Sequence, residues 1–237
     1  MDATEINTTV TIASIILALI TIFLARKSIY NYIKSIRPSE SVAIFGPKEA
    51  GKTTMIRYLQ NEPLPKQHFS TFGAQPVGKI VYDLSGNETY FFRSREMFDV
   101  GGEHHKGQWG AIIKSQNPNG IIFIVDTNEP ELEKNCLRHI YTIYNGLRTN
   151  ELAGNLKLKC LLILLNKCDV WGTSPEAREQ KVLQYRNLFL ESINLFQRTF
   201  GDNLQIQFGC SSLTNSEYTQ SNNAVLRTFA MILAKKK

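Results

Sequence analysis

The sequence predicts an α/β fold: a doubly wound, mostly parallel six-stranded sheet with one antiparallel edge hairpin, preceded by a transmembrane helix. Three observations carry this. Apolar runs short enough for buried strands alternate with longer helical patterns from Ser41 onward. A glycine- and lysine-bearing stretch, Gly46 to Thr54, lies between the first such strand and the first such helix. Ahead of both, Ile6 to Ala25 contains no charged residue. The expected domains are a membrane anchor with its juxtamembrane segment, residues 1–38, and an α/β domain, residues 39–237.

The N-terminal run is rich in β-branched and aliphatic residues, and about 20 residues as a helix span about 30 Å. Asp2 and Glu5 precede it, whereas Arg26, Lys27, Lys34 and Arg37 follow. The positive-inside rule then places the N-terminus outside or in a lumen and the rest of the chain in the cytosol, as a single-pass protein touching the lipid bilayer. Tyr30 and Tyr32 suit the interfacial belt. A cleavable signal peptide would want a positive start, and this start is negative. A buried core helix is the rival reading, since threonines and a serine dilute the run. Asp2 excludes myristoylation and the Lys235–Lys237 ending excludes prenylation. Pro38-Ser39-Glu40 reads as a linker.

Ser41 to Phe45 reads as a buried strand, and Thr53 to Gln60 as a helix with Met55, Ile56 and Leu59 at helical spacing. Between them, Gly46-Pro47-Lys48-Glu49-Ala50-Gly51-Lys52-Thr53 fits the phosphate-binding pattern G-x-x-x-x-G-K-[ST]. The glycines let backbone N–H groups approach a polyphosphate and form an anion nest. Lys52 brings positive charge to the outer phosphates, the Thr53 hydroxyl suits Mg²⁺, and the helix aims its positive end the same way. Lys48, Glu49, Ala50, Gly51, Lys52, Thr53 and Thr54 are therefore candidate nucleotide contacts.

Residues 61 to 75 form a polar connection containing Ser70-Thr71-Phe72-Gly73. Val77 to Tyr82 and Tyr90 to Phe98 read as two strands turning at Ser85-Gly86-Asn87, and the second runs into Asp99-Val100-Gly101-Gly102. Ile121 to Asp126 is a strand apolar on both faces, followed by a helix from Pro130 to about Leu147. Cys160 to Leu165 is another buried strand, ending in Asn166-Lys167-Cys168-Asp169. One long helix is expected from Pro175 to Phe200, with Leu183, Tyr185, Leu188 and Leu190 among its apolar positions. A strand is expected over Leu204 to Phe208 leading to Cys210-Ser211-Ser212, and a last helix over Asn222 to Leu233. In such folds ligands sit at the carboxyl ends of the strands, where all these motifs lie.

The chain has 237 residues and a net charge of +6, with its basic residues spread along it. The balance suits a cytosolic face beside anionic lipid. No aromatic–basic interleaving of the kind that stacks bases is present, so no nucleic-acid partner is expected. Cys136, Cys160, Cys168 and Cys210 form no close pairs, which fits a reducing compartment rather than a disulfide scaffold or zinc site.

Together these motifs resemble a Ras-superfamily small GTPase of the Arf-like branch, a P-loop NTPase G domain, over roughly Ser41 to Leu233. Gly46–Thr54 matches the phosphate loop and Asp99–Gly102 the second switch. Ser70–Gly73 looks like the Arf first switch, Val125–Asn128 like the segment after the fourth Arf strand. Asn166–Asp169 matches the base-reading N-K-x-D. The chemistry of guanine agrees: one carboxylate, Asp169, can accept from both N1 and the exocyclic N2, a pair that adenine lacks. This argues against ATP-driven work.

The resemblance implies GTP or GDP with Mg²⁺ as cofactors. Asn166 and Lys167 would brace the base pocket. The Ser211 amide would meet the guanine O6 beside Ser212. Thr53, Asp99 and Thr71 would serve the metal, and the Gly102 amide the γ-phosphate. Loss of that phosphate would release both switch segments. The chain departs from its family after Gly102, where Glu103 and then His104 stand in place of the usual glutamine that orients water. A carboxylate there repels the γ-phosphate, and His104 is the alternative water-positioning group, so slow hydrolysis is expected, with Lys52, Glu103 and His104 as the catalytic candidates. Two functions follow: a membrane-anchored GTP switch with a protein effector or activating partner, or a GTP-binding membrane receptor or scaffold with little turnover. The second layout looks like the signal recognition particle receptor beta subunit.

Overall fold

The computed structural model describes residues 21, 41–63, 74–76, 80–83, 91–94, 98–100, 105–150, 156–172 and 174–234. Contacts divide the chain at Pro38, and everything below concerns the unit Ser39–Lys237. The expected membrane helix over Ile6 to Ala25 lies outside the described residues except for Thr21. Among the described residues no helix is long and apolar enough to cross a membrane.

Strands β1 (Val42–Phe45), β6 (Gly120–Val125), β7 (Cys160–Leu165) and β8 (Gln205–Cys210) form one parallel sheet in the order β1-β6-β7-β8. Every residue of β1, β6 and β7 is buried, because helices cover both faces. The pleat sends alternate residues to opposite sides. Phe45, Ile121, Phe123, Leu161 and Ile163 pack with Trp109, Tyr144, Tyr185, Phe189 and Phe196 on one face. Val42, Ile44, Ile122, Ile124 and Leu162 pack with Met55, Leu59, Leu226 and Phe229 on the other. The first face is covered by α2 (His105–Gln116), α3 (Pro130–Asn150), α5 (Pro175–Leu188) and α6 (Leu190–Phe200). The second is covered by α1 (Lys52–Gln60) and α7 (Thr219–Ala234). A four-residue helix, α4 (Cys168–Trp171), follows β7.

The structure differs from expectation in several respects. Among the described residues the parallel sheet has four strands, and the expected six-stranded sheet that takes in the hairpin is not seen. The expected hairpin is present in two ladders, β3 (Ile80–Asp83) with β4 (Phe91–Ser94) and β2 (Ala74–Pro76) with β5 (Phe98–Val100). Ala74 faces Val100 and Asp83 faces Phe91, so the two antiparallel ladders share one register. Its strand β5 runs near β1, but no ladder joins the two among the described residues. The long helix expected from Pro175 to Phe200 is divided at Phe189, which leaves helical geometry (φ −93°, ψ 2°) and buries its ring against Phe123 and Tyr185. Leu183 and Leu190, apolar positions of that pattern, are instead exposed. Finally, α2 has no counterpart in the sequence reading; it supplies Trp109, Ile112 and Ile113 to the core.

Candidate functional site

A parallel sheet delivers all its carboxyl ends to one edge, so the loops after β1, β6, β7 and β8 converge there. The first is the glycine loop. Gly46 is fixed by packing: a Cβ would lie 2.2 Å from the Ile124 carbonyl oxygen on the neighbouring strand. Gly51 caps α1 in the left-handed region (φ +104°), and a Cβ there would lie 2.3 Å from Asn166 Nδ2. Lys52, in the first turn of α1, is buried, and its Nζ donates to the Pro47 carbonyl at 2.6 Å. Thr53 and Thr54 are half-buried in that turn, whereas Lys48 and Glu49 are exposed. Glu49 adopts φ +64°.

The loop after β7 is tied to the glycine loop by one side chain. Asn166, 4% exposed, donates through Nδ2 to the Ala50 carbonyl at 3.0 Å. Its Oδ1 accepts from Ser211 Oγ at 3.1 Å, so a single amide joins three of the four loops. Its own carbonyl accepts from Trp171 Nε1 at 2.7 Å, and the Cys168 N–H donates to the Ser211 carbonyl at 3.0 Å. Lys167 is left-handed (φ +58°) and its Nζ pairs with Asp126 Oδ2 at 3.0 Å, bringing in the loop after β6. Asp169 sits half-buried in the first turn of α4.

The residues after β8 are bound to the neighbouring strand and to α7. The Ser211 N–H, assigned to a guanine O6, donates to the Leu165 carbonyl at 2.8 Å, continuing the sheet ladder. The Ser212 N–H donates to Asn222 Oδ1 at 3.2 Å. Ser212 Oγ is buried and has no hydrogen-bond partner among the described residues. An orphaned hydroxyl next to Ser211, together with the glycine nest and the buried ammonium, fits a polar ligand with an anionic end.

Thr71, Gly102, Glu103 and His104 lie outside the described residues. Asp99 is described by its backbone alone, opposite Gln75 in the β2–β5 ladder.

Four residues outside the expected contacts hold the loops in place. Glu133, Trp171 and Tyr185 belong to no motif, and Asp126 lies in the Val125–Asn128 segment. Glu133 is fully buried, and its Oε1 accepts from the Asp126 and Thr127 amides at 3.1 and 2.9 Å. Its Oε2 accepts from the Tyr185 hydroxyl at 2.6 Å. Burial raises the Glu133 carboxyl above its ordinary range, against the pull of these hydrogen bonds. Glu133 falls at the start of a helix, where a carboxylate that reaches back to preceding amides is a recurring cap; that spacing was the available signal. Burial also pushes the thiols of Cys168, within the Asn166–Asp169 turn, and Cys210, at the end of β8, up to about 11 and about 12.

The sequence profile of the ADP-ribosylation factor family matches residues 27–228. No curated protein sequence matches the chain. Among solved structures, the mammalian SRP receptor is 15% identical, covering 78% of this chain and 99% of that one, with a TM-score of 0.51. The ADP-ribosylation factor-like GTP-binding protein, small COPII coat GTPase SAR1, of Encephalitozoon cuniculi in complex with GDP is 19% identical over 93% of each chain, with a TM-score of 0.49. The Arl6 BBS3 small GTPase of Trypanosoma brucei, with a bound nucleotide analogue, is 19% identical over 82% of this chain and 99% of that one, with a TM-score of 0.47. At 15% identity the likeness to the SRP receptor speaks to the fold alone, an α/β P-loop GTPase fold with a parallel sheet. The profile match spans most of the sequence, and the chain belongs to the ADP-ribosylation factor family of small GTPases, which bind guanine nucleotides.

Proposed function

We propose that this chain is a nucleotide-dependent switch that binds GTP and GDP and hydrolyses GTP slowly. The observation that supports this best is the Asn166 amide, which couples the phosphate-binding loop at Ala50 to the base-reading turn and to Ser211. In this reading the amides of Lys48 to Thr54 cradle the phosphates and the Lys52 ammonium leaves Pro47 for them. Asp169 reads the guanine N1 and N2 hydrogens, and the base oxygen shares the Ser211 N–H with Leu165. Thr53, Asp99 and Thr71 would hold Mg²⁺, which supplies charge neutralisation between the phosphates. The run Ile6 to Ala25, with Arg26 and Lys27 behind it, supports attachment to a bilayer with the nucleotide domain on the cytosolic side and a protein effector or activator as partner.

A second reading, a guanine-nucleotide-binding membrane receptor or scaffold with little turnover, is favoured by Glu103 in the water-positioning place. The test is nucleotide identity on the purified full chain, with Asp169→Asn beside it. The wild type should carry GDP or GTP, and the variant should prefer xanthine nucleotides. A wild type that binds neither GTP nor GDP, or a variant with unchanged GTP affinity, would overturn the assignment.

A further inference from the structure

A relay of buried groups runs from α5 to the base-reading turn. Tyr185, fully buried, donates its hydroxyl to Glu133 Oε2 at 2.6 Å. The other oxygen of Glu133 accepts from the amides of Asp126 and Thr127. Thr127 is a β-branched residue at φ +66°, a conformation that persists only when its surroundings impose it. Asp126 is thereby presented to Lys167. Its Oδ2 accepts from Lys167 Nζ at 3.0 Å and from Asn128 Nδ2 at 2.9 Å, while Oδ1 accepts from the Asn128 amide at 3.3 Å. Lys167 is itself left-handed. An ordinary helix cap needs one carboxylate oxygen and no buried phenol. The second oxygen of Glu133, engaged by Tyr185, is what the cap leaves unexplained.

We infer that Glu133 and Tyr185 are positioning residues for the base pocket: they hold Asp126 where it fixes the Lys167 ammonium, and so set how long the chain retains a guanine nucleotide. This rests on the guanine reading above. Lysine carries a large rotamer entropy, and a partner that fixes it before the ligand arrives removes that cost from binding. Neither Glu133 nor Tyr185 touches nucleotide; both act through the backbone of Asp126 and Thr127.

The test uses the full chain loaded with fluorescent GDP. Release is followed after chase with excess GDP, alongside thermal melting without nucleotide. Tyr185→Phe strips one hydroxyl from a buried carboxylate and is expected to speed release about tenfold. Asp126→Asn, which removes the charge facing Lys167, is expected to do at least as much. The double variant should release no faster than Asp126→Asn alone, because both act through one contact. General loosening would instead multiply the two effects, and that result, or unchanged release in Tyr185→Phe, overturns the inference. Should Tyr185→Phe fail to fold, Glu133→Gln carries the same test. It keeps an oxygen for the two amides but loses the charge they bind, and should give faster release with the same non-additivity. A wild type that holds no guanine nucleotide overturns the functional reading and this inference with it. Bound nucleotide with multiplicative variants overturns the inference alone.

Discussion

Replacing Asn166 by alanine removes one amide and leaves two buried partners behind. The Ala50 carbonyl loses its Nδ2 donor, and the Ser211 hydroxyl loses its Oδ1 acceptor. Water cannot easily replace either, since Asn166 is 4% exposed and Ser211 is 1% exposed. Each buried group stranded in this way costs about 1–3 kcal/mol, so the substitution should destabilise the domain by about 2–6 kcal/mol. For a domain of this size each kcal/mol lowers the melting temperature by about 2–4 °C, giving a drop of roughly 4–24 °C. Calorimetry of the nucleotide-free chain measures this directly. Ser211→Ala breaks one of the same bonds, so the double variant should be less destabilised than the sum of the singles by about 1 kcal/mol. A melting temperature within a degree or so of wild type, or strict additivity with Ser211→Ala, would refute the claim that this amide ties the loops together.

Three further outcomes are expected. Gly46→Ala drives a methyl onto the Ile124 carbonyl, a backbone atom that cannot swing aside, so β1 and β6 must separate; a loss of more than about 2 kcal/mol should appear in denaturant melts. Burial holds the Cys160, Cys168 and Cys210 thiols neutral up to about 12, about 11 and about 12, above the ordinary value of 9.0. Their raised values mean that their contribution to stability is complete below pH 9 and is lost as pH rises from there toward 11–12. Tyr144 and Tyr185 shift in the same direction. Melting temperature should therefore fall above pH 9, and iodoacetamide at pH 8 should label these cysteines in the native chain far more slowly than in the unfolded one. In single-turnover assays Glu103→Gln should raise GTP hydrolysis by removing a carboxylate beside the γ-phosphate; no change would favour a receptor that waits for a partner's catalytic group.

The strands of the parallel sheet were legible because burial on both faces writes a continuous apolar run, and Cys160–Leu165 was read to the residue. The glycine loop and the Asn166–Asp169 turn were legible because each follows such a run. What escaped the sequence depended on contacts distant in the chain. The α2 pattern mixes Gly107, Gln108 and Gly110 with its buried Trp109, which hides the helical period. The break at Phe189 is set by ring packing against Phe123 on β6, not by a glycine or proline. Tyr185 looked like one more apolar position of a helix, and only its distance to Glu133, 52 positions earlier, reveals its polar role. The Ser211 amide shows the same limit: sequence shows that an N–H exists, but only the β7–β8 register reveals its bond to the Leu165 carbonyl.

The backbone gives a sign of the site that does not depend on family resemblance. Among the described residues, five other than glycine have positive φ: Glu49, Asn61, Asn117, Thr127 and Lys167. The two asparagines need little explanation, because a short amide side chain tolerates the left-handed region. The remaining three, Glu49, Thr127 and Lys167, fall in the loops after β1, β6 and β7, at the same edge of one sheet. Each costs of order 1–3 kcal/mol and persists only where surrounding bonds impose it. Those bonds are identifiable for two of them. The Glu133 carboxylate holds the Thr127 amide, and the Asp126 carboxylate holds the Lys167 ammonium. A fold selected for stability alone gains nothing by collecting strain at one sheet edge and burying a carboxylate to maintain it. A fold that must present fixed N–H groups and a fixed lysine to a ligand gains preorganisation. Substituting Thr127 by glycine separates these accounts. It should relieve the strain and hold or raise the melting temperature, while loosening the loop and speeding nucleotide release. A variant that is more stable and retains nucleotide just as long would show that the strain serves no ligand.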